Sequence, residues 1–173
     1  NTNFWLATHV VIITIGYGCC FVAGVFGHIY LIGKIRNPGD KVWQRELFSN
    51  MAGLSLFALF FSMFGTILGG IWADQSWGRF WGWDPKETWA LIALLCYIVV
   101  LHGRFAGWLG AFGFCACVVL AFVGVLTAWY GVNYVLAAGL HSYGFGGGGL
   151  HYVLAVVALD FAYVAVAALK YRK

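Results

Sequence analysis

The sequence predicts an all-α fold: a polytopic membrane helical bundle of about five transmembrane helices with an external tryptophan-rich loop. Three observations carry this. Hydrophobic residues make up 62% of the 173, charged residues only 9%, and the mean hydropathy is +0.85, values of a chain that lives in a lipid bilayer and not of a soluble domain. The apolar residues gather into stretches near the roughly 20 residues that a spanning helix needs. The basic residues collect in alternate gaps between those stretches.

The first stretch, Phe4 to Gly33, stops where Lys34 and Arg36 begin. The second, Leu47 to Trp72, follows Lys41 and Arg45, and the third, Trp89 to Trp108, carries Arg104 near its end. The fourth runs from Leu109 to Tyr130, and the fifth, Leu150 to Leu169, closes with Lys170, Arg172 and Lys173. All of these basic residues fall on one side of a five-span path, and only Arg79 and Lys86 fall on the other. Short loops rich in Lys and Arg stay in the cytoplasm. The N-terminus, the loop 73–88 and the loop 131–149 are therefore expected outside, and the Lys-Tyr-Arg-Lys end inside. The net charge of +4 reports this topology, and no nucleic-acid partner is implied.

Residues 1–173 read as a single membrane domain without a repeat. Low complexity is confined to Gly146-Gly147-Gly148-Gly149, a hinge into the last span. The opening Asn-Thr-Asn-Phe-Trp has neither a start methionine nor the basic region of a signal peptide, as expected of a processed piece or the C-terminal portion of something longer. Cys19, Cys20, Cys96, Cys115 and Cys117 all lie in apolar stretches, where they serve as small apolar residues. Without a Cys-x-x-Cys, neither a redox dithiol nor a covalent haem site belongs to the chain.

The most informative segment is Trp77-Gly78-Arg79-Phe80-Trp81-Gly82-Trp83-Asp84-Pro85-Lys86-Glu87-Thr88-Trp89. Rigid indoles beside glycines that admit close backbone approach make a platform for a large planar ligand, porphyrin above all. Asp84, Pro85 and Glu87 also form a helix start, with Asp at the N-cap, Pro at the first helical position and Glu three residues after the cap. That start fixes the platform above the third span.

His102 lies 17 residues after Pro85, about 25 Å along a helix, in the inner half of the bilayer. An ionisable group there is a functional candidate, set against a histidine that snorkels to the cytoplasmic boundary. His9 and His141 fall on the tryptophan side, where two imidazoles facing across a porphyrin give six-coordinate haem iron. Satisfied structural histidines are the alternative. His151 competes with His141 for the same iron, a His28 and His102 pair is conceivable inside the membrane, and Asp160 is either a path residue or the partner of a polar neighbour. Arg79 and Lys86 stand either against haem propionates or at the interface as ordinary snorkelling cations.

These residues resemble the tryptophan-rich, or WWD, haem-handling membrane proteins of cytochrome c maturation. The likeness is strongest to the System II cytochrome c synthetase of the CcsA or ResC type, or the C-terminal half of a CcsBA fusion. It is carried by the segment Trp77 to Glu87, by Leu101-His102, by Gly131-Val132-Asn133 leading to His141-Ser142-Tyr143-Gly144-Phe145, and by His9-Val10 followed by Gly16-Tyr17-Gly18.

The resemblance implies that the aromatic loop, with Trp77, Trp81, Trp83, Asp84 and Arg79, holds haem b at the outer face as a substrate. His9 and His141 become its axial ligands, and His102 a ligand of a second, inner haem. It implies a holocytochrome c synthase, or cytochrome c haem lyase, that presents reduced haem to an apocytochrome c carrying Cys-x-x-Cys-His. No catalytic residue is identified beyond those that position haem. The second ligand of the inner haem lies in a CcsB- or ResB-like partner or a fused N-terminal half, and the membrane is the bacterial inner membrane or the thylakoid. Thioether formation asks mainly for orientation and ferrous iron, which positioning supplies. Three other readings stay open: a haem export or chaperone subunit without ligation activity, a System I relative, and a b-type di-haem membrane electron carrier.

Overall fold

A backbone in lipid must satisfy its own hydrogen bonds, so long apolar runs become long helices. The computed structural model describes residues 2–141 and 148–171, and every regular element among them is helical. The segment Ser142 to Phe145, the first two glycines of the Gly146–Gly149 hinge, and Arg172 and Lys173 of the basic end lie outside the described residues.

Helix α1 spans Thr2–Arg36, α2 Lys41–Trp77, α3 Pro85–Phe105, α4 Ala111–Leu126 and α5 Leu150–Tyr171, and a π-helical segment, Thr127–Leu136, continues α4. Five helical stretches are long and apolar enough to cross a membrane. α1 and α2, with 35 and 37 residues, measure about 52 and 55 Å against a hydrocarbon core of about 30 Å.

The helix ends differ from the sequence expectation in instructive ways. α2 continues through Asp74 and Gln75 to Trp77 and stops at Gly78, which takes φ +71° and returns its N–H to the Asp74 carbonyl. α3 begins at Pro85, with the reciprocal cap of Asp84 and Glu87 formed. The outer loop expected over 73–88 thus shrinks to 78–84, and Trp77 stands on a helix. The expected loop 131–149 likewise begins only at Ala137, because the π-helical turns run on to Leu136. Hydrophobicity marks where lipid ends, whereas caps mark where helices end.

α1 and α2 form an antiparallel hairpin closed by small residues, as lipid-embedded helices require. A Cβ on Gly65 would lie 2.9 Å from Ile13 Cα, and one on Gly16 would lie 2.8 Å from Ser62 N. α4 packs on both α1 and α3 and carries the most deeply buried side chains, among them Phe114, Val118 and Val119. α5 is peripheral, and Ala167 is its one buried residue among those described.

α5 is tied to α1 through a polar cluster. His28 Nε2 lies 3.0 Å from Asp160 Oδ1, the Tyr163 hydroxyl donates to the His28 carbonyl at 2.8 Å, and the two rings stack. Asp160 is therefore the partner of a polar neighbour.

Candidate functional site

Two histidines from distant parts of the chain line one cavity of about 250 Å³ at the end of the bundle that carries the 78–84 loop. His9, on α1, rests in a notch on α2. Its Nδ1 lies 2.7 Å from the Gly65 carbonyl, and a Cβ on Gly69 would meet the ring at 2.7 Å. Any residue larger than glycine at 69 would displace the imidazole.

His141 is seated from the other side. Its Nδ1 lies 3.2 Å from Asp84 Oδ1, and its backbone N–H donates to Asp84 Oδ2 at 3.4 Å. The edges of Trp77 and Trp72 close on the ring, with centroids at 4.8 and 6.2 Å. Gly139, at φ +87°, lets the chain before His141 pass over Asp84, where a Cβ would lie 2.8 Å from the carboxyl carbon.

The acceptors fix the tautomers. A carbonyl oxygen and a carboxylate only accept, so Nδ1 carries the proton in both rings. In the neutral form of either ring Nε2 then keeps its lone pair, and neither Nε2 has a partner among the described residues. A carboxylate or carbonyl on the far nitrogen of an imidazole is the arrangement that orients histidines toward metals. No group of three or more His, Cys, Asp or Glu able to hold an ion occurs among the described residues.

Asp84 is 4% exposed at its side chain. Burial opposes its ionisation, but the Lys86 backbone N–H and the attraction and N–H groups of His141 outweigh burial, so its carboxyl is held below the ordinary range. The capping residue is thus also the acceptor that orients His141.

Between the histidines the wall is aromatic, with Trp72, Phe80, Trp81 and Trp129 facing the cavity. The indoles meet edge to face, Trp81 on Trp83 at 88° and Trp72 on Trp77 at 68°. They form a cleft of crossed rings where the sequence suggested a flat platform, because crossed aromatic pairs are electrostatically preferred. Trp83, at φ +57°, is 69% exposed and supports Trp81 from outside the cavity.

The charges divide similarly. Arg79 binds Glu87 at 3.3 Å and lies over Trp77, so it braces the loop and does not line the cavity. Glu87 further accepts from the Gly82 N–H at 2.7 Å. Lys86 does line the cavity, half-buried, and its Nζ donates to Asn133 Oδ1 at 3.2 Å.

The remaining histidines lie elsewhere. His102 is exposed three residues before the end of α3, with Nδ1 2.8 Å from the Ile98 carbonyl. His28 has both ring nitrogens engaged, by Gly24 and Asp160, and α4 packs between the helices that carry His28 and His102, so these two form no pair. His151 is exposed, lies against Tyr152 and is not on the cavity wall.

Sequence reasoning missed Trp72, Trp129 and the notch of Gly65 and Gly69. The four-residue spacing of those glycines was a legible signal of close helix contact. Nothing local marks Trp129, whose place depends on the π-helical turns.

Known proteins are similar to this chain in sequence. The family model described as cytochrome C assembly protein matches residues 1–141. Protein NrfI of Wolinella succinogenes is 38% identical, over 82% of this chain and 16% of that protein. The cytochrome c biogenesis protein CcsA of Chlamydomonas reinhardtii is 34% identical, over 82% of this chain and 41% of its own length. The CcsA of Prochlorococcus marinus is 30% identical, over 81% and 54%. The chain thus spans about half or less of the length of these relatives.

Proposed function

The chain belongs to the cytochrome c assembly protein family, and from that premise we propose that its outer cavity holds haem b as a substrate and presents it for covalent attachment to apocytochrome c. The carrying observation is that His9 and His141 line one aromatic cavity, each with Nδ1 engaged by an oxygen acceptor and with no partner for Nε2 among the described residues. Two such nitrogens would supply both axial ligands of one haem iron. Trp72, Phe80, Trp81 and Trp129 offer the porphyrin its contact area, and Lys86 offers one propionate a cation.

The chemistry this arrangement serves is an addition. The sulfur of a Cys-x-x-Cys-His cysteine bonds to the inner carbon of a haem vinyl, and its hydrogen goes to the outer carbon. Atoms balance without an oxidant or leaving group. The cavity's part is to fix the ring's orientation and limit water around it, which favours reaction through proximity. Asp84 keeps His141 in the liganding tautomer. This is the role of a holocytochrome c synthase acting by position, with a CcsB- or ResB-like subunit or a fused N-terminal half as partner.

The proposal extends to topology. The cavity faces the outer side of a bacterial inner membrane or thylakoid, and His102 serves a second haem on the inner half of the path.

The test is spectroscopic. Purified protein titrated with haem should give a low-spin bis-histidine spectrum. His9→Ala and His141→Ala should each lose it, and added imidazole should restore it. A double variant that keeps an unchanged low-spin spectrum overturns the assignment. Ligation is tested separately, by thioether formation on a Cys-x-x-Cys-His peptide with ferrous haem, where haem binding without product leaves presentation alone as the function.

A further inference from the structure

Directly beneath the outer cavity, the apolar spans bring five polar side chains to one point. Tyr17 and Cys20 come from α1, Ser62 and Thr66 from α2, and Tyr97 from α3. They surround a small space of about 10 Å³, about the volume that one water molecule occupies by this measure.

Two of the hydroxyls there, Ser62 Oγ and Tyr97 Oη, are fully buried and have no nitrogen or oxygen partner among the described residues, with only the weakly bonding Cys20 thiol close to both. A lone buried hydroxyl in a dry interior is costly, and two that converge on one space the size of a water are doubly so. Gly16 stands opposite, close enough that a Cβ would strike the Ser62 hydroxyl at 2.5 Å. Tyr17, Thr66 and Ala90 line both this space and the outer cavity, so the two adjoin.

We propose that this pocket is an ordered-water site, in which one water bridges Ser62 Oγ and Tyr97 Oη, joins α1, α2 and α3, and forms the hydrated foot of the outer cavity. The site is independent of what the outer cavity binds. It gives the cavity floor a polar connection into the middle of the bundle, between walls that are otherwise apolar.

The experiment is radiolytic hydroxyl-radical labelling of the intact protein in lipid nanodiscs, read by mass spectrometry. Radicals form at bound water, so Tyr97 should be labelled severalfold faster than Phe114, which is as deeply buried but lines no described cavity. Labelling of Tyr97 at the Phe114 level overturns the proposal.

A second measurement gives opposite signs for wet and dry. If the water is present, Tyr97→Phe and Ser62→Ala each lower the melting temperature, and the double variant falls no further than the worse single one. If the space is dry, Tyr97→Phe removes an unsatisfied group and melts at or above the parent temperature, which also overturns the proposal.

Discussion

Asp84 illustrates how much one side chain can be asked to do at the residue scale. It caps α3 through the Lys86 N–H at 2.8 Å and holds both the ring and backbone of His141. Asn caps a helix nearly as well as Asp, so Asp84→Asn separates the two duties. The variant should keep α3 but lose a charge-assisted bond of about 1.5–3 kcal/mol. Because the folded carboxyl is held below its ordinary range, its stabilisation is present above the unfolded pKa and is lost as pH falls through the folded value. The melting temperatures of parent and Asp84→Asn should therefore differ at neutral pH and converge below about pH 4. A constant gap across that range would show that the charge is idle. Trp81 and Trp83 supply a second contrast, since one lines the cavity and the other is mostly exposed. Trp81→Ala should weaken haem binding by about 2 kcal/mol, roughly thirtyfold in Kd. Trp83→Ala should cost less, and so should Lys86→Gln, one ion pair at a partly wet rim being worth about 1 kcal/mol. Equal losses in a haem titration of the three would count against the cleft.

Elements carry the site in ways that single residues do not. His9 owes its position to the packing of α1 on α2, and Trp129 and Asn133 owe theirs to the π-helical turns after α4, a wide helix form often found at functional sites. α5 makes the opposite case. It is the least buried span, and its described polar ties to α1 are Asp160 to His28 and the Tyr163 hydroxyl to the His28 carbonyl. The His28 Nδ1 lies 2.9 Å from the Gly24 carbonyl while Nε2 faces Asp160, so the pair holds α5 against α1 through one ring. Asp160→Asn retains a polar group but removes the carboxyl. It should loosen α5, seen as faster hydrogen exchange in Leu150–Tyr171 with α1 to α4 unaffected, while haem binding at the outer cavity persists. Unchanged exchange in α5 would mean that packing at Ala167 and the Phe112–Tyr171 stack suffices.

At the scale of the whole molecule, the outer cavity and His102 lie toward opposite ends of α3, about 25 Å apart along its axis. If His102 serves a separate inner haem, His102→Ala should lower the haem found in protein purified from cells without changing the affinity of the outer cavity for haem added afterwards. Loss of both would make His102 a structural residue. The sequence alone determined the five spans, the capped start of α3 and the family, because hydropathy, caps and motifs are properties of neighbours along the chain. It also nominated His9 and His141, though from residue types and resemblance, with His151 as a rival. Only the tertiary structure decided that Arg79 braces Glu87 while Lys86 lines the cavity, that Trp72 and Trp129 join the wall while Trp83 stands outside, and that His28 is bound to Asp160. Those outcomes depend on which helices approach within a few ångströms, and that is set by small residues such as Gly65, Gly69 and Gly139 acting across the bundle. A glycine in a sequence records that closeness is permitted, and the packed helices determine what comes close.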